Sequence, residues 1–300
     1  MAYSLSEINE AVRSDPKGFC QRCDEEFQKK VQTAAEKIAA HRGQSHIVLL
    51  SGPSGSGKTT TAMKIEDALE AMGVETHTVS MDNYFNTIDP ETAPRNREGA
   101  IDYESPFCLD IELLNRHFAM LDRGETIHVP KYEFARQMRS DIMSQPMHLG
   151  EDEIAIFEGI HALNDIIIGK NPNAFKLYIA ARSNVVDDGK VIFDHAWLRL
   201  CRRIVRDHKF RGSNAEFTMK MWDNVRRGEK LYISPYKENA DLMFDSSLAC
   251  EFSVLKPYVV PLLQELPRGQ YPDADAILAA YDRIEALDES LIPADSLIRE

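Results

Sequence analysis

Residues 49–65 read LLSGPSGSGKTTTAMKI, and no other stretch restricts the fold of this chain as strongly. An apolar segment, HIVLLSG over 46–52, runs into a glycine-rich turn, and a helix-compatible stretch follows over 59–72. The turn fits G-x-x-x-x-G-K-[ST], from Gly52 through Gly57 to Lys58 and Thr59. Glycines let successive backbone N–H groups point inward, and the following helix adds the positive end of its dipole. Gly52, Pro53, Ser54, Gly55, Ser56 and Gly57 therefore suit a chain of phosphates, with Lys58 reaching the terminal ones. Thr59 and Thr60 open the helix, and the Thr59 hydroxyl suits Mg²⁺. The plain structural alternative is a glycine-rich strand-to-helix turn with an exposed lysine.

A phosphate ligand needs local positive charge, because the 300-residue chain carries a formal net charge of −13. That acidity argues against a general nucleic-acid surface but not against a basic cleft. No apolar run reaches the ~20 residues of a membrane span. The start, MAYSLSEINEAVRSDPK, lacks a secretory pattern. Five scattered cysteines do not form a disulfide framework, and the single C-x-x-C, Cys20 and Cys23, reads as two reduced thiols on a helix. A cytoplasmic location is the default expectation.

Hydrophobic spacing gives a helix over 19–42, through Phe27, Val31, Ala34, Ala35 and Ile38, then strands over 46–52, 75–82, 153–159, 175–181 and 240–247. Helices are expected over 109–123, 195–210, 214–228, 254–266 and 273–287. Residues 86–106 read as a loop, and 126–134 as a strand or hairpin. Short apolar strands alternating with helices imply a mostly parallel sheet covered on both faces, with ligands beyond the carboxyl ends of the strands.

Two further strand ends carry chemistry. Asp82, in SMDNYF, can accept the proton of an attacking hydroxyl or hold a metal through water; a turn aspartate is the alternative. Glu158, in IFEGIH, can order a Mg²⁺ shell or orient substrate; a structural carboxylate is the alternative. The local basic cluster is RLCRRIVRDHKFRG, residues 199–212. Arg199, Arg202, Arg203 and Arg206 recur at i, i+3, i+4 and i+7 and share one helix face. Such a run is often a solvated face. Beside a phosphate-binding loop it reads as a cationic lid over a transferring phosphoryl group. Arg226, Arg227 and Lys230 extend it or mark a solvated helix end.

Taken in order, GPSGSGKTT, SMDNYF, DYESPFCLD, VPKYEF, IFEGIHAL, RLCRRIVRDHKFRG and ENADLMFD resemble the uridine kinase and phosphoribulokinase family of P-loop kinases over roughly 46–250. The resemblance implies an α/β fold of the P-loop NTPase type: a doubly wound parallel sheet with a small β-hairpin arm and a basic helical lid. Residues 1–45 are then an N-terminal helical extension. Residues 46–300 form the kinase domain, with the lid at about 199–230 and C-terminal helices at about 254–288. ATP and Mg²⁺ are the implied donor and cofactor, and uridine or cytidine, phosphorylated at the 5′-hydroxyl, the acceptor. By position, Asp82 matches the general base, Tyr132 and Phe134 aromatic residues near the base, and Arg203, Arg206 and Arg211 arginines contacting phosphates or acceptor. Tyr84 of SMDNYF joins the acceptor pocket. A homo-oligomer is expected from the resemblance alone.

The chain departs from that pattern at the acceptor. Glu104 stands where the family usually has aspartate, Gln137 where a histidine reads the base, and Met221 where a lid glutamine is expected. Gln137 still offers a donor and an acceptor. The bacterial branch that the later stretches resemble is often joined to a domain similar to one in threonyl-tRNA synthetase. The 45 residues ahead of the first strand are too few for one. Two other functions stay open: a kinase of another small alcohol, such as a sugar phosphate or vitamin precursor, and an ATP-binding regulatory module without turnover. A GTPase is disfavoured because no N-K-x-D occurs.

Overall fold

The apolar run that feeds the glycine-rich turn becomes the middle strand of a five-stranded, all-parallel sheet. The computed structural model describes residues 2–142 and 146–299. The chain opens with β1 (Ala2–Ser4), α1 (Leu5–Ser14), α2 (Pro16–His41), β2 (Ile47–Ser51), α3 (Lys58–Ala71) and β3 (Thr76–Ser80). Next come α4 (Ile111–Asp122), β4 (Ile127–His128), β5 (Tyr132–Glu133), β6 (Met138–Arg139), β7 (Pro146–Met147) and β8 (Ile154–Glu158). Then α5 (Asp165–Ile168), β9 (Phe175–Ala180), β10 (Asn184–Asp187), β11 (Lys190–Phe193), α6 (His195–Arg211) and α7 (Ala215–Gly228) follow. β12 (Leu242–Asp245), α8 (Glu251–Gln264) and α9 (Pro272–Tyr281) complete the set.

The main sheet runs β12–β9–β2–β8–β3. Every residue of β2 and β8 is buried, as expected of strands covered on both faces. Alternation divides the core. Val48, Leu50, Ile156 and Leu177 meet α2, α3, α6 and α8, whereas Ile47, Leu49, Phe157 and Tyr178 meet α4 and the chain around it. Strand ends from Ser51, Ser80 and Glu158 consequently emerge on one rim, where Leu50 and Ser80 lie in register with Glu158.

Apart from the main sheet, β5 and β6 form a small antiparallel arm. Arg139 ties it down, donating to Asp110 at 2.9 Å and to the carbonyls of Tyr84 and Phe85 at 3.2 and 3.3 Å. A second sheet, β1–β10–β11, has no counterpart in the sequence-based expectation. Its β10–β11 hairpin turns at Asp188, which has φ 46°, and Gly189; the Asp-Gly pair was its visible signal. All five cysteines are free and buried. Among the described residues, no helix is long and apolar enough to cross a membrane.

The N-terminal helices share the main core. Phe27 of α2 is 1% exposed and meets Phe244 of β12 edge-on at 5.5 Å, while α2 packs along α3. Phe27→Ala is therefore expected to lower stability by about 3–5 kcal/mol. Urea unfolding should still show one transition; two separate transitions would show that α2 melts independently of the sheet.

Candidate active site

The glycine-rich loop is shaped by steric necessity at three positions. A Cβ at Gly52 would clash with the Ile179 carbonyl of β9. Gly55 and Gly57 take φ of +75° and +76°, conformations that glycine adopts without strain. No side chain caps the N-terminus of α3, and its first turn holds no acidic residue, which leaves the dipole end available to an anion.

The loop's carbonyls are held from outside. Arg199 Nε donates to the Ser54 carbonyl at 3.1 Å, Arg202 Nη1 to the Gly55 carbonyl at 3.2 Å, and Ser246 Oγ to the Ser56 carbonyl at 2.6 Å. Arg203 Nη1 reaches Ser54 Oγ at 2.7 Å. With those carbonyls engaged outward, the amides of Gly55 and Gly57 turn the other way, while the Ser56 amide donates to the Pro53 carbonyl at 3.2 Å within the loop.

This corrects the expectation of one continuous cationic face on α6. Arg199 is 1% exposed and bidentate to Glu229, at 2.9 and 2.7 Å. Burial pushes the Glu229 carboxyl up, but Arg199 and Arg226 outweigh it and hold the group below its ordinary value. Arg202 pairs with buried Glu251 at 2.5 and 2.6 Å. Both arginines brace the loop. Arg203, Arg206 and Arg211 gather instead on buried Asp207, at 3.6, 3.1 and 3.4 Å.

Across the rim, Asp82 sits in a 3-10 turn, Met81–Tyr84, with its backbone N–H donating to Ser80 Oγ at 3.4 Å. The residue is exposed at the rim, and neighbouring protein displaces part of the hydration of its carboxylate. The lost hydration raises its pKa, against the lowering fields of Lys58 and Arg211. A raised carboxylate near a lysine and an arginine is suited to take a proton. Lys58 Nζ donates to the Pro53 carbonyl at 3.4 Å. Thr59, Asp82 and Glu158 supply only oxygen donors, the set a hard cation such as Mg²⁺ prefers. Inside the cradle, buried Ser56 Oγ has no hydrogen-bond partner among the described residues.

Glu104 lies nearby, its pKa raised to about 7 by burial and Asp102 against the fields of Arg203, Arg227 and Lys58. Residue 228 is packed against it: a Cβ there would lie 2.4 Å from Glu104 Cβ and 2.7 Å from Cγ, so the close approach requires glycine at 228. Sequence inspection missed three partners here. Asp102, 2% exposed, binds Arg227 at 2.7 and 3.2 Å and Tyr232 at 2.9 Å. His161 is 1% exposed, and burial lowers its pKa to about 4, so it is neutral at pH 7. It belongs to the quoted IFEGIHAL stretch, but no local feature distinguishes a buried imidazole at a site from one in a core.

Tyr132 and Phe134 do meet, at 5.0 Å between ring centroids, and both touch Phe85, at 5.5 and 6.0 Å. Phe134 is 61% exposed, an aromatic face on the arm. Gln137 is exposed at the bend of the same arm, with φ 51°. Tyr84 is a correction. It is fully buried and hydrogen-bonded to His117 Nδ1 at 2.9 Å; α4 draws the ring into the core.

A phosphate-binding loop at the centre of a doubly wound parallel sheet, faced by a carboxylate on the neighbouring rim, defines a P-loop protein of the phosphotransferase type. Residues 47–251 match the Phosphoribulokinase / Uridine kinase family, and the chain belongs to it. A uridine kinase of Macrococcus caseolyticus is 31% identical over 201 residues, covering 66% of this chain and 86% of that protein. A uridine kinase of Saccharomyces cerevisiae is 26% identical over 202 residues, covering 67% of this chain but only 37% of the yeast protein. Among solved structures, D-glycerate 3-kinase from Cryptococcus neoformans aligns with TM-score 0.47 and 14% identity, covering 67% of this chain and 88% of that one.

The Glu104 shift has a definite sign. Its folded-state pKa of about 7 lies above the ordinary 4.5, so the folded chain retains a proton that the unfolded chain releases. That contribution is full below 4.5 and is lost as pH rises through about 7. Glu104→Gln should therefore gain on the wild type by up to about 3 kcal/mol between pH 4.5 and 8. Urea unfolding at both pH values measures this; a gap that stays constant would refute the assignment.

Proposed function

We propose that this protein transfers the γ-phosphoryl group of ATP to a hydroxyl of a small acceptor, with the 5′-hydroxyl of uridine or cytidine as the preferred acceptor. The observation that carries this reading is Asp82: a carboxylate with a raised pKa, under the fields of Lys58 and Arg211, across the rim from the phosphate loop. Binding ATP alone requires no such base.

The chemistry assigned to the residues is in-line displacement. Amides of 52–58 and the Lys58 ammonium hold the phosphates. Asp82 accepts the acceptor's hydroxyl proton as that oxygen bonds to the γ-phosphorus. The bond to the β–γ bridging oxygen breaks, and ADP leaves with the electron pair. Arg203, Arg206 and Arg211 offset the charge on the transferring group, a positioning and electrostatic role. When bound at Thr59, Asp82 and Glu158, Mg²⁺ supplies charge compensation to the phosphate oxygens.

The nucleoside preference is supported by the names of the relatives and by exposed Phe134 on the arm, which Phe85 and buried Tyr132 back from within. Gln137 on that arm supplies the polar contact for a pyrimidine edge. One observation favours another small alcohol as acceptor. Glu104, half-neutral near pH 7, can donate as well as accept a hydrogen bond, which suits polyols other than ribose.

ADP release should be followed with ATP and Mg²⁺ across uridine, cytidine, purine nucleosides, deoxynucleosides, ribose and ribulose 5-phosphate. Turnover confined to uridine and cytidine is expected. Turnover with another alcohol replaces the acceptor, and tight ATP binding without any turnover removes the kinase reading. Asp82→Asn should slow acceptor-dependent turnover by about 10²–10⁴-fold with ATP affinity nearly intact; an unchanged rate would strip Asp82 of its role as base.

A further inference from the structure

At the amino ends of the parallel strands, the opposite end from the phosphate loop, a second set of side chains gathers around β3. β3 is the edge strand of the main sheet. Side chains alternate along a strand, which places Glu75 and His77 on one face and buried Thr76 on the other. The register sets Thr76 beside Ile154 and His77 beside Ala155, and so brings Glu153 next to Glu75. His77 Nε2 lies 3.0 Å from Glu153 Oε2. Ligand atoms of Glu75, His77 and Glu153 all fall within 4.8 Å of one another.

A plain hydrogen-bonded His–Glu pair would need no second carboxylate, and here one is left over. The Gly150 N–H and the His77 ring both hydrogen-bond the Glu153 carboxylate and hold its pKa below the ordinary value. Glu75 stands beside that anion, and among the described residues no hydrogen bond or salt bridge takes up its own carboxylate. The surroundings do not offset the two charges. The groove along the edge of β3, about 590 Å³ and open to solvent, has Glu66, Glu75, His77, His148 and Glu153 in its lining and no lysine or arginine. Carboxylates that approach each other without a cationic side chain favour a bound cation. The imidazole nitrogen selects its class, since Mg²⁺ and Ca²⁺ prefer oxygen alone and first-row transition ions accept nitrogen with oxygen.

We infer that Glu75, His77 and Glu153 bind a Zn²⁺ ion that clamps the amino ends of β3 and β8 together, at a site separate from the phosphate loop. Ligand atoms of one tetrahedral Zn²⁺ stand roughly 3.4 Å apart. His77 and Glu153 already meet that spacing, and exposed Glu75 closes the remainder by rotating its side chain. Water takes the fourth position, on the open side of the groove. Both strands are five residues long, so the ion lies roughly 16 Å from the catalytic rim. It takes no part in phosphoryl transfer. Its contribution is stability, at the edge strand whose other end leads into the turn that carries Asp82.

The test titrates the full chain, first stripped with a chelator, with Zn²⁺ by calorimetry in a large excess of Mg²⁺. Co²⁺ is titrated in parallel and followed by its visible absorption. The unaltered chain is compared with Glu75→Gln, His77→Gln and, as a control for the phosphate site, Asp82→Asn. Glu75 is exposed, so its variant guards against a folding defect at His77. One equivalent of Zn²⁺ is expected to bind, with Glu75→Gln and His77→Gln each weakening it by at least about 10-fold and Asp82→Asn leaving it unchanged. Zn²⁺ should also raise the Tm of the unaltered chain but not that of Glu75→Gln. An unaltered chain that binds no Zn²⁺ overturns the assignment. So does full affinity in either Glu75→Gln or His77→Gln, which would put the ion on other surface groups. Binding lost in Asp82→Asn overturns it as well, because the ion would then sit at the phosphate loop.

Discussion

The site depends first on two arginines, one buried and one half-buried, that grip the phosphate loop from behind. Arg199 and Arg202 bind the carbonyls of Ser54 and Gly55 and are themselves neutralised by Glu229 and Glu251. A peptide unit cannot turn its oxygen outward without turning the adjoining amide the other way. The grip on the carbonyls therefore fixes the orientation of the adjoining amides, of which that of Ser56 donates to the Pro53 carbonyl. Buried guanidinium groups are tolerated only with paired, bidentate carboxylates, and removing either partner of such a pair leaves an uncompensated charge. Glu229 begins the π-helical turn after α7, and Glu251 begins α8. The loop is thus coupled to the packing of three helices.

Charge across the rim is arranged in two zones. Beside the loop, Arg203, Arg206 and Arg211 share one buried partner, Asp207, so that zone keeps an excess of positive charge for phosphate oxygens. Toward the acceptor side, burial raises the Asp82 and Glu104 carboxyls and keeps His161 neutral. Asp102 there spends its charge on Arg227 and Tyr232. The two zones adjoin: Lys58 and Arg211 act on Asp82, and Arg203, Arg227 and Lys58 act on Glu104, in each case against the effect of burial.

The parts of the chain outside the family match also serve the site. α2 and α9 enter the same hydrophobic cluster as β2 and β9. Lys30 of α2 donates to the Asp245 carbonyl at the end of β12, and Ser246, the next residue, donates to the Ser56 carbonyl of the loop. Packing at the N-terminus is in this way relayed to the loop through one strand end.

What the sequence determined by itself was local. The glycine spacing of 52–57, the apolar periods of the five sheet strands and the acids at strand ends follow from neighbours a few residues apart, so the parallel sheet and the phosphate cradle were legible at once. The short β10–β11 hairpin passed unread despite its Asp-Gly turn, since four-residue strands carry little periodicity. Tertiary structure decided the rest. Arg199 and Arg202 read as part of a cationic lid because Glu229 and Glu251 lie 30 and 49 residues away. Tyr84 read as an acceptor contact because His117, 33 residues on, was not yet beside it. His161 and Asp102 carry no local signature at all. A side chain's chemistry is set by what surrounds it, and for buried charge the partners are chosen by the fold, at separations over which a linear pattern holds no information.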